Sequence, residues 1–228
     1  MLLFCFLPAI MYMYICAQEE TEQVSNSTGS VRPTLIIDAG HGGLDGGTVS
    51  SWGEPESDIN LDIALGLQEL CALYASPHMM TRISADIDYP PSAETIRAKK
   101  AYDTKQRLEL INSVQDGLLL SIHQNHYPDP SPRGAQALYG SGDKSAAFGK
   151  LLQSNLLSLW GENRRTAARI SETIYLMREA NCPAVLLECG FLSNPEDANL
   201  LITDSYRIKI AAVLMASYLQ FTADGSIA

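Results

Sequence analysis

Apolar residues follow two spacings along this chain. Continuous short runs at residues 35–37, 118–122 and 184–187 each lead into polar positions, and they predict strands apolar on both faces. Residues 57–74 instead carry Ile59, Ile63, Leu67 and Leu70 with Asp58, Asp62 and Glu69 between them, the spacing of a helix with one buried face. Further strands are expected at 78–81 and 135–139. Further helices are expected at 145–160 and 206–221. Asp103 and Gln106 read as a capping box opening a helix through Asn112. Asn194-Pro195-Glu196-Asp197 reads as another helix start, with proline at the first position and acids in the first turn. The polar stretch 83–102, holding Pro90-Pro91, is expected to be a surface loop near the functional site. Both-face-apolar strands alternating with helices predict an α/β fold: a single domain with a mainly parallel, twisted sheet and helices on both faces.

Composition narrows this further. At 228 residues and 46% hydrophobic the chain can bury one substantial core. The 26 acidic against 16 basic residues give a net charge of -10, which opposes binding to nucleic acid through its phosphates. Residues 1–17 are uncharged and mostly apolar, shorter than the ~20 residues of a spanning helix, and predict an export leader. No Lys or Arg precedes that run and Ile15 fits cleavage poorly; an uncleaved leader is the one membrane attachment expected. Cys16 follows Met13-Tyr14-Ile15, which lacks the small residues of lipoprotein processing. A polar linker (18–33), a catalytic domain (34–222) and a tail (223–228) complete the expected organisation. Five cysteines are present, two of them in the leader; Cys71, Cys182 and Cys189 form neither a CxxC pair nor an even framework.

The chemistry concentrates after the buried runs. His41 follows the first, in Asp38-Ala39-Gly40-His41-Gly42-Gly43, where glycines permit a sharp turn and close approach to a ligand. A loop histidine beside turning glycines is the plainer account of His41 alone. The loop is no phosphate cradle, since Asp45 stands where GxGxxG needs its third glycine. His123 follows Leu118-Leu119-Leu120-Ser121-Ile122 and needs a partner there, whether a metal or a backbone carbonyl. Glu188 follows Ala184-Val185-Leu186-Leu187, where a carboxylate is costly unless paired, protonated or facing a cleft. Glu56 sits at the start of the first helix, where local context does not prefer it over Glu54 or Asp58 and a carboxylate can simply complement the helix dipole. His126 and His78 read as a loop residue near the site and a surface residue. Two histidines, one ligand-capable glutamate and one further buried glutamate match a hydrolytic zinc site: three protein ligands leave a position for water, and a separate carboxylate takes its proton.

Four segments occur in order: residues 38–43, Glu56-Ser57-Asp58-Ile59-Asn60-Leu61, Ser121-Ile122-His123-Gln124-Asn125 and residues 183–195. Together they resemble the zinc-dependent N-acetylmuramoyl-L-alanine amidases over roughly residues 34–221. The stretch 95–107 looks most like the single-domain, germination-specific members that act on spore-cortex peptidoglycan. The resemblance implies Zn2+ held by His41, Glu56 and His123, with Glu188 as the catalytic carboxylate and peptidoglycan as the substrate. It also implies action outside the cytoplasm, and leaves a protein activator unidentified. Arg107 is expected to be a solvated cation or a substrate contact. The short span between His123 and the helix at Ser145 leaves no room for the inhibitory helix of some division-associated relatives. The rivals are a zinc hydrolase cutting a peptide crosslink or an acetyl group, and a catalytically silent wall-binding protein.

Overall fold

The computed structural model describes residues 32–157, 159 and 165–223. The expected leader, most of the linker, Trp160 and the tail from residue 224 lie outside them. Among the described residues six strands form one sheet: β1 (Thr34–Ala39), β2 (His78–Met80), β3 (Gly117–Asn125), β4 (Gln136–Tyr139), β5 (Ala168–Arg169) and β6 (Ala184–Phe191). Their order is β2-β1-β3-β6-β4-β5. The first four in that order are mutually parallel, with Leu35 beside Leu118 and Leu120 beside Val185. Between β6 and β4 the direction reverses, and β5 runs parallel to β4.

Among the described residues six helices cover the sheet: α1 (Glu56–Leu73), α2 (Ile96–Asn112), α3 (Asp143–Leu157), α4 (Tyr175–Glu179), α5 (Pro195–Leu201) and α6 (Asp204–Ala223). Successive strand residues point to opposite faces. Leu35, Ile37, Leu118, Leu120, Val185 and Leu187 therefore join Leu67 of α1, Phe148 of α3 and Leu214 of α6 in one core. Ile36, Leu119 and Leu186 join Ile111 of α2 and Leu176 of α4 in the other. Strands buried on both sides need apolar residues at every position, and each Leu or Ile so buried contributes about 1.5–3 kcal/mol. The α/β fold with a mainly parallel sheet and helices on both faces is thus as expected.

Three details differ from the expectation. Helix α2 opens at Ile96, where the Thr95 side chain accepts the Ala98 N–H at 3.1 Å, and not at Asp103. Asp103 and Arg107 lie one turn apart inside that helix and form an ion pair at 2.9 Å, so the apparent cap is an i,i+4 pair. The loop before α2 is accordingly shorter, ending at Thr95. Strand β4 is antiparallel to its neighbour, and β5 and α4 are too short to leave a periodic signal. The helix start at Asn194 is as expected, with its side chain accepting from the N–H groups of Glu196 and Asp197 at 3.0 and 3.1 Å.

Candidate metal centre

The carboxyl ends of β1, β3 and β6 lie side by side, and the chain beyond such ends commonly builds ligand sites in parallel sheets. His41 leaves β1 with φ 61°, a left-handed conformation held by a tight turn in which Gly42 and Asp45 exchange backbone hydrogen bonds at 2.8 and 2.9 Å. From there the chain passes Gly47 and enters α1 at Glu56, so a short loop carries both residues. His123 lies near the end of β3, and its register partner on β6 is Glu188.

One oxygen joins the first three. Glu56 Oε1 lies 3.3 Å from His41 Nε2 and 3.0 Å from His123 Nδ1. Both imidazoles stand edge to face, with centroids 5.0 Å apart. Ligand atoms of His41, Glu56 and His123 all lie within 4.8 Å of one another. Glu54 turns away to Arg207, and Asp58 pairs with the Ser57 hydroxyl, so of the three neighbouring acids Glu56 is the one that reaches the histidines. The surroundings leave no spare room. A Cβ on Gly40 would sit 2.3 Å from the His123 ring, and one on Gly47, itself at φ 69°, 2.6 Å from Glu56 Oε2.

Electrostatics follow from that packing. Burial pushes the Glu56 carboxyl up, but His123 and His41 outweigh it and hold it well below the usual carboxylate range. Burial alone lowers the basicity of His41, yet Glu56 and Asp45 raise it above the ordinary histidine value. Glu56 also accepts the Gln124 N–H at 3.0 Å and, through Oε2, the Thr48 N–H at 3.1 Å. Glu188 differs: burial pushes its carboxyl up to about 7, and its Oε2 is shut from solvent without a hydrogen-bond partner among the described residues. Two imidazoles and one carboxylate converging at these spacings suit a small divalent cation. Donors ~2.0–2.1 Å from a tetrahedral ion stand about 3.3 Å apart, close to the two separations measured from Glu56 Oε1.

Residues that the sequence did not single out hold the cluster. Arg82, just beyond β2, donates to the carbonyls of Ala39 (2.9 Å), Gly40 (3.1 Å), Ser57 (2.8 Å) and Ser84 (3.1 Å), tying the backbone beside His41 to the backbone beside Glu56. Asn60 of α1 bonds the Gly40 carbonyl at 3.1 Å and accepts from Gln124 at 3.1 Å. Tyr89, in the loop before α2, accepts the Leu44 N–H at 3.2 Å, so that loop does lie against the His41 turn. Arg107 is neither solvated nor beside the histidines. It is buried and pairs with Asp38 at 3.3 Å and Asp103 at 2.9 Å, because Asp38, fully buried in β1, needs a counter-charge. His126 stands exposed past the end of β3, and His78 bonds the Ser76 carbonyl. Cys189 is fully buried, which pushes its thiol far up and leaves it unreactive.

Residues 35–217 match the family model described as N-acetylmuramoyl-L-alanine amidase. The chain is 34% identical over 188 residues to the germination-specific N-acetylmuramoyl-L-alanine amidase of Bacillus subtilis, covering 82% of this chain and 78% of that protein. It is 29% identical to the amidase LytC of the same organism, of which it spans 34%. Among solved structures it superimposes on the CwlD amidase of Clostridioides difficile, determined in complex with the GerS lipoprotein. That match has a TM-score of 0.80 and 33% identity, over 84% of this chain and 99% of that one. A sheet whose carboxyl edge gathers two histidines and two glutamates, together with matches over most of its length, places this chain in the N-acetylmuramoyl-L-alanine amidase family of enzymes.

Proposed function

We propose that this chain is a zinc-dependent hydrolase that cleaves the amide between N-acetylmuramic acid and L-alanine in peptidoglycan, outside the cytoplasm, in cell-wall or spore-cortex remodelling. The supporting observation is the convergence of His41, Glu56 and His123, with Glu188 beside His123 on the next strand. In this reading the first three hold the metal, and a donor set of two nitrogens and one oxygen favours zinc with a position left open for water. Bound zinc supplies Lewis acidity at the scissile carbonyl and makes water acidic near neutral pH. Glu188, as carboxylate, takes the proton of the attacking water while the water oxygen bonds to the carbonyl carbon. It then returns that proton to the alanine nitrogen as the C–N bond breaks. The complex of CwlD with a lipoprotein supports including a protein partner in the proposal, its identity open.

Digestion of purified vegetative and cortex peptidoglycan tests the reading. Chelation is expected to abolish cleavage and added zinc to restore it, with mass spectrometry finding new amino groups on L-alanine. Glu188→Gln is expected to bind peptidoglycan and cleave roughly 10²- to 10⁴-fold more slowly. Cleavage indifferent to chelation would overturn the metal assignment; amino groups released at crosslinks or on glucosamine would overturn the bond assignment.

A further inference from the structure

His41 has a second contact that the proposed reaction does not use. Its Nε2 faces Glu56 at 3.3 Å, while its Nδ1 lies 3.1 Å from Asp45 Oδ2 on the far side of the ring. The other oxygen of Asp45 is itself held: Oδ1 is 2.7 Å from Nζ of Lys100, on α2, and accepts the Gly47 N–H at 3.3 Å. Lys100, Asp45 and His41 thus form a row running from the outside of the molecule to the metal cluster, with Lys100 half-exposed at its outer end.

Both ring nitrogens face a carboxylate, but a cation held between Nε2 and Glu56 needs the Nε2 lone pair, so the single proton of the neutral ring belongs on Nδ1, where Asp45 accepts it. The lone pair is then left on Nε2, the nitrogen turned toward Glu56 and His123. The backbone leads into this contact: left-handed values at His41 (φ 61°) and Gly43 (56°), with Gly42 at 137°, bring Asp45 back against the ring in a turn closed by the Gly42 and Asp45 backbone bonds. We propose that Asp45 and Lys100 are a positioning pair for His41: Asp45 fixes the tautomer and orientation of the ring, and Lys100 keeps the Asp45 carboxylate in place. Neither touches the reacting atoms; both act through His41. The inference rests on the metal assignment made above.

Zinc affinity, measured by competition with a chromogenic chelator, separates the two ideas. A parent protein that binds no zinc defeats the metal assignment itself. If the parent binds zinc, Asp45→Ala is expected to weaken affinity roughly 10- to 100-fold, the range usual for loss of a partner behind a metal-binding histidine. Lys100→Met should weaken it about two- to fivefold, as befits a half-exposed ion pair, and Lys100→Arg should restore it. Nitrogen chemical shifts of the His41 ring give an independent readout. In the metal-free parent protein Nδ1 is expected to show the shift of an N–H hydrogen-bonded to a carboxylate, and Asp45→Ala to lose it. Affinities within twofold of the parent for both Asp45→Ala and Lys100→Met, or an unchanged Nδ1 shift in Asp45→Ala, would overturn the pairing. Melting in excess chelator checks that the variants fold; a variant unfolded there is replaced by Asp45→Asn, which keeps an acceptor and is expected to lose less than Asp45→Ala.

Discussion

At Glu188 the fold sustains an arrangement that works against its own stability. Burial favours the protonated carboxyl and pushes its pKa from 4.5 up to about 7, so at intermediate pH the folded chain holds a proton that the unfolded chain has released. Stability from this group is therefore greatest at and below pH 4.5 and declines as pH rises through the window to about 7. Glutamine mimics the protonated form and carries no such penalty. Metal-free Glu188→Gln is expected to be more stable than the parent by about 1–3 kcal/mol at pH 8, the gap shrinking toward pH 4.5. Urea unfolding with chelator at both ends of the range checks this, and a gap of equal size at both would contradict it. The site thus holds a carboxylate of raised basicity at the expense of stability, in keeping with the raised values found at functional sites.

At the scale of elements, the site depends on how β1 and α1 are locked together. Arg82 spans that junction with its planar fork, serving carbonyls on both sides, a task for which the single ammonium of lysine is poorly shaped. Arg82→Met leaves several carbonyls without donors and is expected to cost about 3 kcal/mol, with Arg82→Lys recovering less than half, as read from urea unfolding. What the sequence revealed follows from the same geometry. Strands β1, β3 and β6 were legible because residues buried on both faces must be apolar throughout. His123 and Glu188 stood out because they interrupt or follow those runs. Glu56 was legible through resemblance alone, since its selection over Glu54 and Asp58 is made by the turn of the chain into α1. The reversed direction of β4 left no mark, because a short apolar run looks the same in either orientation. Arg82 and Lys100 left no signal, and the burial of Arg107 against Asp38 left none either, because those partners lie on other elements and hydrophobic spacing carries no information about such pairs. Asp45 alone had a local signal, four residues after His41 in a glycine-rich turn.

For the whole molecule, the proposed donors come from the first loop, the start of α1 and a central strand, so on that assignment metal binding and folding are linked. Zinc at 100 times its dissociation constant is expected to stabilise the fold by about 2.7 kcal/mol. For a chain of this size that raises the melting temperature by roughly 5–10 °C, a rise that His123→Ala should remove. Differential scanning with and without zinc measures both. The order of strands also bears on when the metal can enter. His41, Asp45 and Glu56 are close in sequence, but His123 reaches them only when β1 and β3 pair, and Glu188 only when β6 joins on the far side of β3. Parallel neighbours so distant along the chain close large loops, an entropic cost that precedes their contacts. On the proposed metal assignment an unfolded chain presents an incomplete ligand set, and capture of the ion would mark the moment at which the central strands have come together.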